Sequence, residues 1–124
     1  MKFSGICIIT DNVSELKDFY KEIFQAEAEE EDDFARLLID GGNFDIFSKE
    51  GMENMAPGSA LDFGHGGFTI EIEVSDVDAE YERLKRKNIS FIKLPATYPW
   101  GRRSFWFKDP DGNIVNFYSW VQGI

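Results

Sequence analysis

The stretch Phe105-Trp-Phe-Lys-Asp-Pro-Asp-Gly-Asn-Ile-Val-Asn-Phe-Tyr-Ser-Trp120 decides how this chain is read. Phe105, Trp106 and Phe107 are strong strand formers. Asp109-Pro110-Asp111-Gly112 then interrupts the run. Pro110 presets φ for the first central position of a turn, Asp109 can accept a backbone N–H, and Gly112 can adopt positive φ. Strand character resumes at Ile114. Alternation sets Val115, Phe117 and Ser119 on one face and Ile114, Asn116, Tyr118 and Trp120 on the other. The same rule sends Phe105 and Phe107 into a core and Trp106 to the opposite face. A polar Asn116 inside an apolar strand is therefore the residue to explain.

Working outward, Ser90-Phe-Ile-Lys-Leu94 reads as a short strand and residues 95–102 as a loop. Phe68–Val74 alternates cleanly, with Ile70, Ile72 and Val74 on one face and Thr69, Glu71 and Glu73 on the other. Ser75 or Asp76 can cap a helix carrying Val77, Tyr81 and Leu84, with Asn88 as a left-handed stop. Near the start, residues 3–9 form a strand. Val13, Leu16, Phe19, Tyr20, Ile23 and Phe24 follow at helical spacing, with Asn12 as N-cap and Glu15 three residues on. The acidic run at 27–33 suits an exposed edge strand and turn, because like charges blunt pairing with another chain. Residues 34–39 and 44–48 are strands around an Asp40-Gly41-Gly42-Asn43 hairpin turn. Residues 49–67, rich in Gly and holding the one histidine, His65, read as a long loop.

Two halves repeat the same order. Gly5–Val13 overlays Thr69–Val77 at an offset of 64, and Phe44–Ser48 overlays Val115–Ser119 at an offset of 71. The overlay keeps facing: Ile6 with Ile70, Phe44 with Val115 and Ile46 with Phe117 face helices, while Gly5, Asp45, Thr69 and Asn116 face the other way. A repeat of this kind fixes the class as α+β, in two βαβββ modules at about residues 1–50 and 67–124 with a linker at about 51–66. Each sheet has one face covered by its helix. The free faces, side by side, would form a trough for a ligand.

Composition limits the function. The chain has 124 residues, 43% hydrophobic, and 12 Phe, enough for one domain with a real core. No run nears the ~20 apolar residues of a membrane span. A net charge of −10 makes nucleic acid a poor partner. The lone Cys7 forms no internal disulfide, which suits the cytoplasm, and reads as a small buried hydrophobe rather than a nucleophile. No signal peptide is expected, since strand and helix signals begin at once.

The repeat, together with Asn12–Tyr20, Asp76–Leu84 and the Gly101–Asn113 turn segment, resembles the vicinal oxygen chelate superfamily of glyoxalase I, extradiol dioxygenases, fosfomycin resistance enzymes and bleomycin resistance proteins. The resemblance covers nearly the whole chain. It implies a cupped eight-stranded mixed sheet with helices on the outer face, and a homodimer. Family enzymes hold a divalent metal with His and Glu at four positions that fall here on Gly5, Asp45, Thr69 and Asn116. One carboxylate in four slots does not make a transition-metal site. The resemblance therefore points to a metal-independent binding protein without a cofactor, similar to bleomycin resistance proteins. Its ligand would be planar aromatic or cationic. The expected lining is Asp45, Phe47, Glu71, Glu73, Trp100, Trp106, Asn116 and Tyr118, with Tyr98 beside them. The alternative is a glyoxalase-type lyase or isomerase, or a dioxygenase, with an atypical metal site using Asp45, Glu71 or His65.

Overall fold

The structure is a computed structural model that describes residues 1–62 and 67–121. It divides into two compact units, residues 1–64 and 65–124. His65 lies outside the described residues.

The first unit runs β1 (Gly5–Thr10), α1 (Val13–Phe24), β2 (Ala28–Glu31), β3 (Phe34–Leu37), β4 (Asn43–Ser48) and α2 (Lys49–Met55). Its mixed sheet has the order β1-β4-β3-β2, with β1 and β4 parallel. Helix α1 starts at Asn12, whose side chain accepts from the Glu15 N–H at 3.0 Å. That bond satisfies one of the orphan donors of the first turn. The helix ends at Gln25, in the left-handed conformation. Leu16, Tyr20 and Ile23 are buried with Ile8, Leu37, Phe44 and Ile46. The Tyr20 and Phe44 rings lie 4.8 Å apart. The acidic run forms β2 at the sheet edge, where Glu30 takes Lys17 at 2.8 Å and the Ser14 hydroxyl at 3.0 Å.

The second unit runs β5 (Thr69–Glu73), α3 (Val77–Leu84), β6 (Ser90–Thr97), β7 (Arg102–Lys108) and β8 (Ile114–Trp120). Its sheet repeats the first, in the order β5-β8-β7-β6 with β5 and β8 parallel. The register bears out the repeat strand for strand. Ile6 pairs with Phe44 as Ile70 pairs with Val115, and Cys7 with Asp45 as Glu71 with Asn116. Phe105, Phe107, Val115 and Phe117 are buried together with Ile70, Val77 and Leu84. The Phe107 and Phe117 rings meet edge to face at 5.2 Å.

Four local expectations change. Residues 49–55 are helical, because Ser48 caps the Gly51 N–H at 2.8 Å and no proline intervenes before Pro57. Strand β6 continues past Leu94 to Thr97. As an edge strand it tolerates Pro95, which lacks a ladder N–H. Helix α3 ends at Lys85 with right-handed backbone, and Asn88 has no positive φ. Cys7 is exposed rather than buried.

The β7–β8 turn is held by the Asp109 carboxylate. Oδ1 accepts the N–H groups of Asp111 and Asn113, both at 2.9 Å, and Oδ2 accepts Asn113 Nδ2 at 2.9 Å. Gly112 supplies φ +88°. Asp109 is 5% exposed, so these donors stand in for water around its charge. Asp109→Ala orphans them and is expected to cost about 2–4 kcal/mol, read from urea unfolding at unchanged m-value. Asn12→Ala is expected to cost about 1 kcal/mol by the same measurement, the usual scale of a lost N-cap.

Candidate functional site

The second unit carries a cavity of about 320 Å³ lined by Lys93, Tyr98, Trp100, Arg102, Ser104, Trp106 and Asn116. Alternation along β7 explains three of these. Phe105 and Phe107 go into the core, so Arg102, Ser104 and Trp106 share the face that the cavity occupies. Asn116 stands opposite Trp106 on β8. Tyr98 and Trp100 come from the loop between β6 and β7, with rings stacked 4.9 Å apart and 9° from parallel.

Lys93 reaches the cavity through a register shift. Phe91 pairs with Phe107, but Lys93 pairs with Trp106, so two residues of β6 advance against one of β7. Strict alternation would put Lys93 on the same face as Phe91, whose ring packs on Phe105 and Phe107. The bulge turns it to the Trp106 face instead. There its Nζ donates to the Ser104 carbonyl at 2.6 Å and lies 4.8 Å from the Tyr98 ring and 5.6 Å from the Trp106 ring.

Arg102 lies with Cζ 3.6 Å from the Tyr118 ring centroid, and its Nη1 donates to Glu71 at 2.6 Å. That bond raises the guanidinium above its ordinary value, so Arg102 remains charged. Three buried polar atoms of the lining have no partner: Arg102 Nε, Trp106 Nε1 and Asn116 Oδ1. Each such atom costs roughly 1–3 kcal/mol unless something meets it. Asn116 itself is 7% exposed. The polar residue that stood out in β8 is thus buried at the cavity wall with an unmet acceptor.

Of the residues expected to line a site, the structure brings Trp100, Trp106 and Asn116 together, with Tyr98. Tyr118 lies behind Arg102 rather than in the lining. Glu71 faces the same way as Asn116 but is drawn onto Arg102, and Glu73 is exposed on β5. Asp45 and Phe47 belong to the first unit. There Asp45 receives Arg36 Nε at 2.6 Å and Nη2 at 2.9 Å, and Phe47 packs on Phe34 with ring centroids 6.4 Å apart. The lining of this cavity thus holds two cations, Lys93 and Arg102, and none of the three acids named from the sequence. Lys93 and Arg102 escaped the sequence reading. Pro95 inside an apolar run is the signal for an irregular edge strand that turns Lys93. Extending the Trp106 alternation back by four residues would have reached Arg102.

The four positions that hold metal in the resembling enzymes do not fit a metal here. Gly5 has no donor, and a Cβ on it would clash with the Asn43 carbonyl oxygen, so no ligating side chain fits on this backbone. Asp45 is committed to Nε and Nη2 of Arg36. Thr69 and Asn116 offer only neutral oxygens, which are weak ligands for a transition metal. Among the described residues, no three His, Cys, Asp or Glu are grouped to hold an ion. Cys7 is an equally poor nucleophile, since desolvation by its neighbours and then the nearby Asp45 charge raise its thiol above the ordinary value.

Comparison with known proteins agrees with the fold. YraH of Bacillus subtilis strain 168, an uncharacterised protein, is 25% identical over 95% of this chain and 98% of its own length. A glyoxalase/bleomycin resistance protein/dioxygenase family enzyme from Burkholderia phytofirmans PsJN superposes with a TM-score of 0.85 at 17% identity, covering 95% of this chain and 98% of that one. A glyoxalase/bleomycin resistance protein/dioxygenase from Nocardioides gives 0.80 at 21% identity, covering 100% and 86%. At these identities the two structures speak for the fold alone. Among the described residues no helix is long and apolar enough to cross a membrane. The sequence profile of the Glyoxalase/Bleomycin resistance protein/Dioxygenase superfamily matches residues 2–117, and the chain belongs to that superfamily.

Proposed function

We propose that the protein binds a planar aromatic small molecule in the second-unit cavity without a metal ion, as the resemblance to bleomycin resistance proteins implies. One observation carries this reading: a cavity of about 320 Å³ walled by Tyr98, Trp100 and Trp106 and floored by buried Asn116. Its volume falls in the range of small-molecule sites, which are mostly apolar with a few placed polar groups. The stacked Tyr98 and Trp100 rings offer a flat surface to a flat ligand. Trp106 Nε1 and Asn116 Oδ1, buried in these lining residues, have no partner within the protein. The family's metal positions support the metal-free part, because two of the four residues are neutral, one lacks a side chain and one is ion-paired.

Tryptophan fluorescence titration with a panel of fused-ring compounds tests this directly, since Trp100 and Trp106 line the cavity. Saturable quenching is expected for some members and is unchanged by a chelator. Trp100→Ala is expected to weaken binding roughly 2–12-fold, the scale of ~0.5–1.5 kcal/mol for one stacked aromatic pair. Trp100 is 68% exposed, so the variant should fold normally. No quenching by any compound at millimolar concentration would overturn the reading. A stoichiometric divalent ion on protein purified without chelators would favour the glyoxalase-type lyase or dioxygenase instead.

A further inference from the structure

We infer that the ligand of this cavity carries a carboxylate beside its aromatic ring, and that Lys93 selects for that charge with Arg102. The inference rests on the aromatic-binding reading above and adds the sign of the ligand's charge. It reverses the cationic ligand expected from a lining with Asp45, Glu71 and Glu73.

Charge is the first ground. The chain has 23 acidic and 13 basic residues, yet the cavity lining holds Lys93 and Arg102 and no acid. Glu71 offsets Arg102 through a 2.6 Å ion pair whose carboxylate side is 45% exposed. Lys93 has no carboxylate against it among the described residues. Its one hydrogen-bond partner there is the Ser104 carbonyl, and its other neighbours are ring faces.

The hydrogen bonds left open at Lys93 are the second ground. An ammonium has three N–H donors. With one on Ser104, Lys93 keeps two that have no partner among the described residues. Such donors on a cation at the cavity wall call for a group rich in acceptors. An ionised carboxylate is acceptor-only, with about four lone-pair sites. A cationic ligand would bring further donors and would face Lys93 uncompensated. The β6 bulge is what creates this imbalance, since it turns Lys93 from the core face to the cavity.

Calorimetric titration of the full chain with naphthalene-2-carboxylate, naphthalene-2-carboxamide and 2-naphthylmethylammonium tests the inference at constant ring. The carboxylate is expected to bind about tenfold or more tighter than the carboxamide, the scale of one hydrogen bond to a charged group, and the ammonium weakest. That preference should shrink as ionic strength rises from about 0.01 to 1 M, where the screening length falls from about 30 to 3 Å. Lys93→Met should remove most of the preference, and Lys93→Arg should keep it. Equal binding of all three, or preference for the ammonium, overturns this inference and leaves aromatic binding standing. A preference that survives in a folded Lys93→Met protein also overturns it. If none of the three binds and the wider fused-ring panel also fails, the aromatic-binding reading falls and takes this one with it. The unmodified protein alone decides the sign of the charge, so the test holds even if Lys93→Met does not fold.

Discussion

Strict alternation along β7 and β8 is the constraint on which the second unit depends. Side chains of successive strand residues point to opposite faces, so one sequence must serve two environments at once. Phe105, Phe107, Val115 and Phe117 take the face toward α3 and are buried. Arg102, Ser104, Trp106 and Asn116 take the other and build the cavity. A one-residue slip would drive Asn116 and Trp106 into the core and expose four large apolar groups. The Asp109 turn guards against that slip, because its carboxylate holds two backbone donors at fixed positions between the strands.

The duplicated βαβββ unit explains why one half can specialise. Both sheets use the same strand order and the same parallel pair, and their cores are built alike. Their other faces differ. In the first unit Asp45 is neutralised by Arg36 beside it, a bidentate pair that leaves little for a ligand. In the second, Asn116 occupies the equivalent position with an unmet oxygen beside aromatic rings and two cations. The polar group at this position is closed by a partner in one unit and left open in the other.

Electrostatics within the second unit run against the chain as a whole. An acidic surface keeps a small protein apart from its copies and from polyanions, and says little about a recess a few residues wide. In that recess, short contacts and desolvation decide, and these involve Lys93, Arg102 and ring faces. Glu71 shows how composition misleads. It faces the same way as Asn116, as its alternation requires, yet its charge is taken up by Arg102 rather than offered to a ligand.

The local and periodic features were legible in the sequence: the N-terminal starts of α1 and α3, the Asp-Pro-Asp-Gly turn, the two offsets of the repeat, and which residues of β7 and β8 face the core. These rest on backbone geometry and on period-two or period-3.6 patterns, which neighbouring residues express directly. Trp100, Trp106 and Asn116, singled out by alternation and composition, line the one cavity described above, but its charge followed from the packing of the strands. A bulge breaks the period on which the reading of β6 relied, so Lys93 changed faces without any change in composition. Ion pairing then removed Glu71 and Asp45 as available charges, through partners 31 and 9 residues away in sequence. Pairing over such separations depends on where strands lie side by side, and no window along the chain carries that information.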